Sequence, residues 1–506
     1  YPHVRVGLPA MTVLTHAPTP PRVLDALRSP RMLTREVLAG VVTALALIPE
    51  AISFSVVAGV DPAVGLFSSV VIAVVIAFVG GRPAMVSAAA GSVALVIAPL
   101  VRDHGIAYLV PAVVLGGVFQ LVLGFLGVAR LMRFIPRSVN VAFVNALAIL
   151  IFTAQLPNLF GGDVPVVVWP LTALGVGIVV GFPFLTKAVP APLVAVVVVT
   201  AITIVFGIAV PTVGDEGALP TALPGFGGIT VPITFETLQI VAPYAFGVAI
   251  VGLIETLLTA QLVDSITETR SSAWRESWGQ GIANIASAFF GGTGGCAMIG
   301  QTVINVKTAG ARTRISTFVA GVSVLVLTIV LHDLVAQIPM AALTAVMLMV
   351  CVATFDWHSI RPRTLGRMPL GETAVMLITV VVVVATDNLA TGVLVGVVVA
   401  ALVFARRAAH LVTVVREPVD ERTVRYRVRG ALFFASSNDL VTRFSYAEDP
   451  EHVIVDMSDA HVFDASTVAA LDGVEQRFAK HGSTVEVVNL NTGSVALHGR
   501  LTGRLG

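Results

Sequence analysis

The sequence predicts an α-helical polytopic membrane protein that ends in a small water-soluble α/β domain, and three observations carry the prediction. Of 506 residues 56% are hydrophobic and 12% charged, with a mean hydropathy of +0.92, far too apolar for a soluble globular chain. The charges are partitioned: residues 36–405 hold 30 charged side chains, whereas the much shorter stretch 406–506 holds 25. The apolar tract is also cut by Gly, Pro and charge into bilayer-sized pieces, with room for about 12 to 15 spans at roughly 20 to 28 residues per helix and loop.

Taken in order, the apolar segments read at about 36–58, 63–79, 84–101, 106–128, 138–157, 166–186, 192–210, 238–263, 278–291, 293–306, 314–333, 338–355, 371–386 and 388–405, which makes about fourteen. With the N-terminus placed in the cytoplasm, all but one of the Lys/Arg of this region fall inside, among them Arg82, Arg133, Lys187 and Arg314; only Arg102 falls outside. That is the positive-inside pattern, and a wrong span count would break it. An even count returns the C-terminal domain to the cytoplasm. Tyr1 to Ala10 carry no signal-peptide core, and Met11 reads as the natural start, so the first ten residues are set aside.

Several classes are excluded at once. A net charge of +1 without a basic, aromatic-interleaved cluster gives no footprint for nucleic acid. The two cysteines, Cys296 and Cys351, both fall in apolar segments, which leaves neither a disulfide framework nor a zinc set. No nucleophile with a base, cofactor motif or P-loop is found, so neither an enzyme nor a primary ATP-driven pump is expected.

The third and tenth segments, PAMVSAAAGSVALVIAP and GGTGGCAMIGQTVI, are unusually short and Gly-rich and hold matching places in two halves of seven. That is the signature of discontinuous helices in an inverted repeat. Glu50 in the first segment and Glu255 in the eighth sit at equivalent points of the two halves. A carboxylate at bilayer depth is costly and faces protein or water. Glu255 lies one turn before Thr259, which puts two oxygen ligands for Na⁺ or a proton on one helix face. Glu50 follows Pro49, which removes a backbone hydrogen bond and interrupts the helix there. The alternative for both acids is a protonated side chain bonded to a neighbouring helix. Asp264, about half a helical turn round from Glu255, is assigned to the cytoplasmic end as a cap or ion-pair partner.

No Lys or Arg falls within the third or tenth segment, so an anion there depends on backbone amides and the positive ends of two half-helices. Ala89, Ala90, Gly91 and Ser92 in one, and Gly295, Cys296 and Ala297 in the other, are small enough for close approach; small-residue helix packing is the other reading of them.

At these residues the chain resembles the SulP anion permease family, relatives of sulfate, bicarbonate and chloride carriers and of the motor protein prestin. The resemblance rests on IPEAISFSVVAGVDPAVGLFSS, GGRPAMVSAAAGSVALV and INVKTAGARTRIS and covers nearly everything from about Leu33. It implies fourteen segments in two inverted repeats of seven (about 36–210 and 238–405), a core moving against a gate, a site between the third and tenth helices, and a homodimer. It also implies a substrate site at Phe54, Ala90, Gly91, Ser92, Ala297, Met298, Ile299 and Gln301, with Glu255 and Thr259 matching the sodium-coordinating pair of bicarbonate carriers. The pattern departs where Glu50 replaces the usual Gln and where Gln301 replaces an Arg of many eukaryotic members.

Past Arg406 and Arg407 the periodicity turns to short alternating runs: TVRYRVRGALFFAS, a helical NDLVTRFSYAE, the strand HVIVDMS, the amphipathic DASTVAALDGVEQRFAKHG and the strand TVEVVNL. This α/β pattern resembles a STAS domain, open to a cytoplasmic regulatory partner. Ser466 matches the phosphorylated position of STAS-type antagonists; its other reading is a helix N-cap.

The expected organisation is a cytoplasmic segment 1–35, a transporter domain 36–405 and a STAS domain 413–506, in the inner membrane with both termini cytoplasmic. The expected activity is secondary transport of a small anion, a dicarboxylate such as fumarate or bicarbonate, in symport with H⁺ or Na⁺ and without a resident cofactor. Sulfate or anion exchange, an uncoupled channel and an electromotile protein are the alternatives.

Overall fold

The computed structural model describes residues 21–503 apart from 128–129, 131–134, 163, 187–188, 224 and 410–411. Arg133, Lys187 and the N-terminal tract with Met11 lie outside the described residues. The chain divides into two compact units, Tyr1–Gly396 and Val397–Gly506.

The first unit is helical. Its segments are α1 (Pro30–Val57), α2 (Pro62–Val79), α3 (Gly91–His104), α4 (Leu109–Phe125), α5 (Arg137–Gln155), α6 (Val168–Gly181) and α7 (Ala191–Val205). A second set of seven follows: α8 (Phe235–Thr267), α9 (Ala273–Phe289), α10 (Ile299–Val303, continued by a π-helical turn Ile304–Thr308), α11 (Arg314–Val330), α12 (Met340–Thr354), α13 (Leu370–Thr386) and α14 (Leu389–Ala409). Seven is odd, so the second set enters the membrane from the opposite side. Among the described residues six helices are long and apolar enough to cross a bilayer by themselves, and five shorter apolar ones accompany them.

These segments sort into two groups by packing. In one, α1, α2 and α11 pack together, α9 packs on α2 and α4, and α8 packs on α3 and α4. In the other, α12 packs on α5, α6 and α7, and α13 on α5. Small residues permit close approach: a Cβ at Gly117 of α4 would lie 2.7 Å from the Gly281 carbonyl oxygen of α9.

Two expectations are corrected here. Pro49 does not interrupt α1, which runs through it for 28 residues; its lost hydrogen bond is tolerated inside the helix bundle. The third segment is not helical from residue 84. Ala84 closes a turn at φ +60°, the segment that follows contains β1 (Ser87–Ala88), and helix begins only at Gly91.

The second compact unit begins inside α14, at Val397. Its sheet has the order β3 (Thr413–Asp420), β4 (Thr423–Leu432), β5 (His452–Val462), β6 (Thr484–Val488). β3 and β4 are antiparallel, and β4–β5–β6 are parallel. Helices α15 (Ser437–Thr442), α16 (Ala465–Lys480) and α17 (Thr492–Leu501) complete it, around a core with Tyr426, Phe444, Leu471 and Phe478. β3 and α17 went unread in the sequence, and the helix expected over NDLVTRFSYAE stops at Thr442.

Ser466 is not the N-cap of α16. Asp464 is: its Oδ1 accepts the Thr467 N–H at 3.0 Å and its Oδ2 the Phe434 N–H at 2.5 Å, while Ser466 stands exposed in the first turn. Asp464→Ala is therefore expected to cost the domain about 1 kcal/mol or more, read as faster amide exchange along α16 in the full chain; unchanged exchange refutes the cap.

Candidate functional site

The centre of the helical unit is a meeting of two extended segments. β1 pairs antiparallel with β2 (Cys296–Ala297), Ser87 opposite Ala297 and Ala88 opposite Cys296. Two-residue strands leave most of their backbone groups to other partners, and in a bilayer each must find one. Side chains supply them. Ser69 accepts the Ala89 N–H at 3.2 Å, Thr302 the Val86 N–H at 3.0 Å and Thr256 the Ala297 N–H at 3.1 Å. Asn284 accepts the Gly295 N–H at 2.8 Å, and Gln280 donates to the Gly295 carbonyl at 2.9 Å.

This frame aims the first turns of α3 and α10 at one cavity of about 510 Å³. Ala90, Gly91 and Ser92 line it from α3, and Met298, Ile299, Gly300 and Gln301 from α10. Glu50 and Phe54 line it from α1, Glu255 from α8. The Phe54 ring rests on Gly91, where a Cβ would come within 2.7 Å of it. The opposite wall comes from the second helix group, Phe143, Leu147 and Ile151 of α5 and Val346, Met349 and Val350 of α12 among others, and Thr354 is its polar member. Among the described residues no Lys or Arg lines the cavity. One wall thus carries the polar groups and both helix N-termini, and the other is apolar enough to slide.

Glu255 is nearly buried, 8% exposed. Its Oε2 accepts from the Ser92 hydroxyl and, at 3.1 Å, from the Cys296 thiol. The Thr259 hydroxyl donates to the Glu255 carbonyl at 2.8 Å and to the Ala297 carbonyl at 3.3 Å. Gln301 is the polar neighbour of Glu50, and its Nε2 makes no hydrogen bond of ordinary geometry.

Of the residues singled out in the sequence, Glu50, Phe54, Ala90, Gly91, Ser92, Glu255, Met298, Ile299 and Gln301 share this cavity. Ala297 and Thr259 do not line it: Ala297 is committed to β2 and fully buried, and Thr259 sits behind it. Asp264 pairs with Arg82 at 2.8 Å, away from the cavity. The sequence reading missed the donor role of Cys296 and the amide frame of Gln280 and Asn284. The signal for the frame was a pair of buried-type amides at i, i+4 in the apolar stretch 278–291.

The comparisons with known proteins agree with this architecture. The sequence profile described as the sulfate permease family matches residues 33–171 and 164–379, and that of the STAS domain residues 415–497. The putative sulfate transporter YbaR of Bacillus subtilis is 50% identical over 468 residues, covering 92% of this chain and 96% of that one. The transmembrane domain of a cyanobacterial bicarbonate transporter, BicA, aligns with a TM-score of 0.64 and 27% identity over 74% of this chain and 98% of that chain. The murine anion transporter Slc26a9 in its inward-facing state aligns with a TM-score of 0.79 over 92% of this chain and 87% of that one; at 18% identity it speaks for the fold alone. The chain therefore belongs to the sulfate permease family: it is a multi-pass membrane protein, an anion transporter with a C-terminal STAS domain.

Proposed function

We propose that the protein carries a small anion by alternating access, in symport with H⁺ or Na⁺, and that a dicarboxylate such as fumarate, or bicarbonate, is preferred over sulfate. The observation that carries this reading is a cavity wall with two carboxylates, Glu50 and Glu255, and no fixed cation. Two helix N-termini supply about half a unit of positive charge each. They offset one negative charge; a dianion beside two ionised glutamates is left far from neutral, and a co-bound cation or proton removes the excess. Glu255 suits that task, because the donors on its Oε2 leave Oε1 for the cation, with the Thr259 hydroxyl and the Ala297 carbonyl close behind. Glu50 is the second proton-sensitive group. An anion pathway without coupling gains nothing from either acid.

The apolar wall supports rigid-body rocking of α5–α7 and α12–α14 against the remaining helices. Its cavity residues include the start of α7 and the ends of α6 and α12, on the membrane side where α1 begins, the cytoplasm by the positive-inside count, and reach through the middle of α5 to Ile151. We place the protein in the inner membrane as a homodimer, with segments 1–35, 36–405 and 413–506 as above and Ser466 open to a regulatory partner. Sulfate is the second reading, favoured by the name of the Bacillus relative.

The test is uptake of labelled bicarbonate, fumarate and sulfate into proteoliposomes under imposed pH and Na⁺ gradients, for wild type, Glu255→Gln and Glu50→Gln. One anion is expected to accumulate only with an inward H⁺ or Na⁺ gradient, and Glu255→Gln to lose accumulation while retaining slow equilibration. Equilibration without either gradient, unchanged in Glu255→Gln, overturns symport.

A further inference from the structure

A second cavity, of about 300 Å³, lies between the two helix groups and is lined by Ser53 of α1, Ala154 and Gln155 of α5, Asn158, and Met340 and Leu343 of α12 among others. It is one helical turn from the central cavity on three helices at once. On α1, Ser53 faces the second cavity and Glu50 the first; on α5 the pair is Ala154 and Ile151, and on α12 Leu343 and Val346. The two spaces are therefore successive chambers along one interface. The second lies toward the membrane side where α1 and α5 end and α12 starts.

Gln155 is what makes this chamber more than a packing defect. The residue is 3% exposed, and its side-chain amide, like that of the half-buried Asn158, lines the chamber and is not among the fully enclosed polar atoms left without a partner. Amide groups that open on a cavity are free to bond whatever occupies it. The Ser53 hydroxyl is already spent on the Pro49 carbonyl at 2.9 Å. Among the described residues no charged side chain lines the chamber, and α12 starts there; its first N–H, that of Met340, donates to the Pro211 carbonyl at 2.8 Å, and the positive end of the helix dipole still faces the space.

We propose that this chamber is a second, transient anion site, in which the amide N–H groups of Gln155 and Asn158 and the N-terminus of α12 hold a small oxyanion on its way to or from the central cavity. Uncharged donors suit a way-station: they desolvate an anion partly without trapping it. Phe54, with a face on the central cavity and Ser53 beside it on the other, stands at the passage between the chambers. The site rests on anion transport as the family establishes it and takes only its sidedness from the orientation proposed above.

The experiment is modification of Gln155→Cys in intact cells by a membrane-impermeant, negatively charged methanethiosulfonate, with wild type as control because Cys296 and Cys351 are both buried. Asn158→Cys serves as a second reporter. Modification from outside is expected, slowed several-fold by bicarbonate, sulfate or fumarate but not by gluconate. The readout needs no ion gradient, so it survives if symport fails. Alongside, Gln155→Glu is expected to raise the KM for uptake more than Gln155→Met does, with the excess shrinking as salt is added. No modification from outside, equal rates in all four anions, or equal KM values for the two variants overturns the proposal.

Discussion

Gly295→Ala is expected to abolish transport of every anion. A Cβ at this position would lie 1.8 Å from the Ala88 carbonyl oxygen, 2.6 Å from its carbon and 3.0 Å from the Ala89 nitrogen, all backbone atoms with no rotamer to yield. Nor is retreat open to the strand, since Asn284 and Gln280 grip the Gly295 N–H and carbonyl from behind. The two strands must part, which exposes the Ala88–Cys296 pairing where no water can replace it. The cost is about 3 kcal/mol or more, and both half-helix N-termini leave their positions at the cavity. Two further glycines calibrate the claim. At Gly91 the obstacle is the Phe54 ring, the far end of a side chain, so Gly91→Ala is expected to weaken affinity without ending transport. At Gly300 nothing lies within 4 Å, and Gly300→Ala is expected to transport normally although it lines the same cavity. Uptake normalised to membrane-inserted protein ranks the three; Gly295→Ala retaining wild-type flux refutes the frame.

The contrast among these glycines shows what was legible in the sequence. Span count and the place of both half-helices could be read because bilayer thickness and charge placement act on each segment locally. Glu50 and Glu255 stood out because a carboxylate in an apolar run is costly enough to be conspicuous. The frame was not legible, because Gln280 and Asn284 reach Gly295 only after two extended segments meet across the bundle. For the same reason Ala297 was placed on the cavity when it stands behind it: its neighbours in sequence do not show that its backbone is committed to β2. In the C-terminal domain β3 was hidden by its exposed edge, where Arg416, Glu417 and Asp420 blur the alternation.

Breaking the ion pair between Arg82 and Asp264 is expected to destabilise the helical unit more than any surface change. The Arg82 side chain is 2% exposed; its Nη1 donates to Asp264 Oδ1 and Thr269 Oγ1, both at 2.8 Å, and its Nη2 to Thr267 at 2.5 Å. Glu276 Oε2 accepts the Arg82 and Gly81 N–H groups at 2.7 and 2.5 Å, so this loop before β1 is tied to both α8 and α9. Asp264→Ala leaves a guanidinium buried with only hydroxyl and carbonyl partners. Loss of one partner of a buried pair costs about 3 kcal/mol or more, toward the lower end here because Asp264 is 28% exposed. Thermal unfolding in detergent is expected to fall for Asp264→Ala, less for Asp264→Asn, and to recover in part for Arg82→Met/Asp264→Leu, which removes both charges. The double variant then separates two roles. Asp264 stands on the helix that carries Glu255, and Arg82 opens the loop that leads to Ser92, the donor to Glu255. If the pair only stabilises, recovered stability brings recovered uptake. If it also sets the register of α8 against α3, the double variant folds but loses uptake, because Ser92 and Glu255 no longer meet.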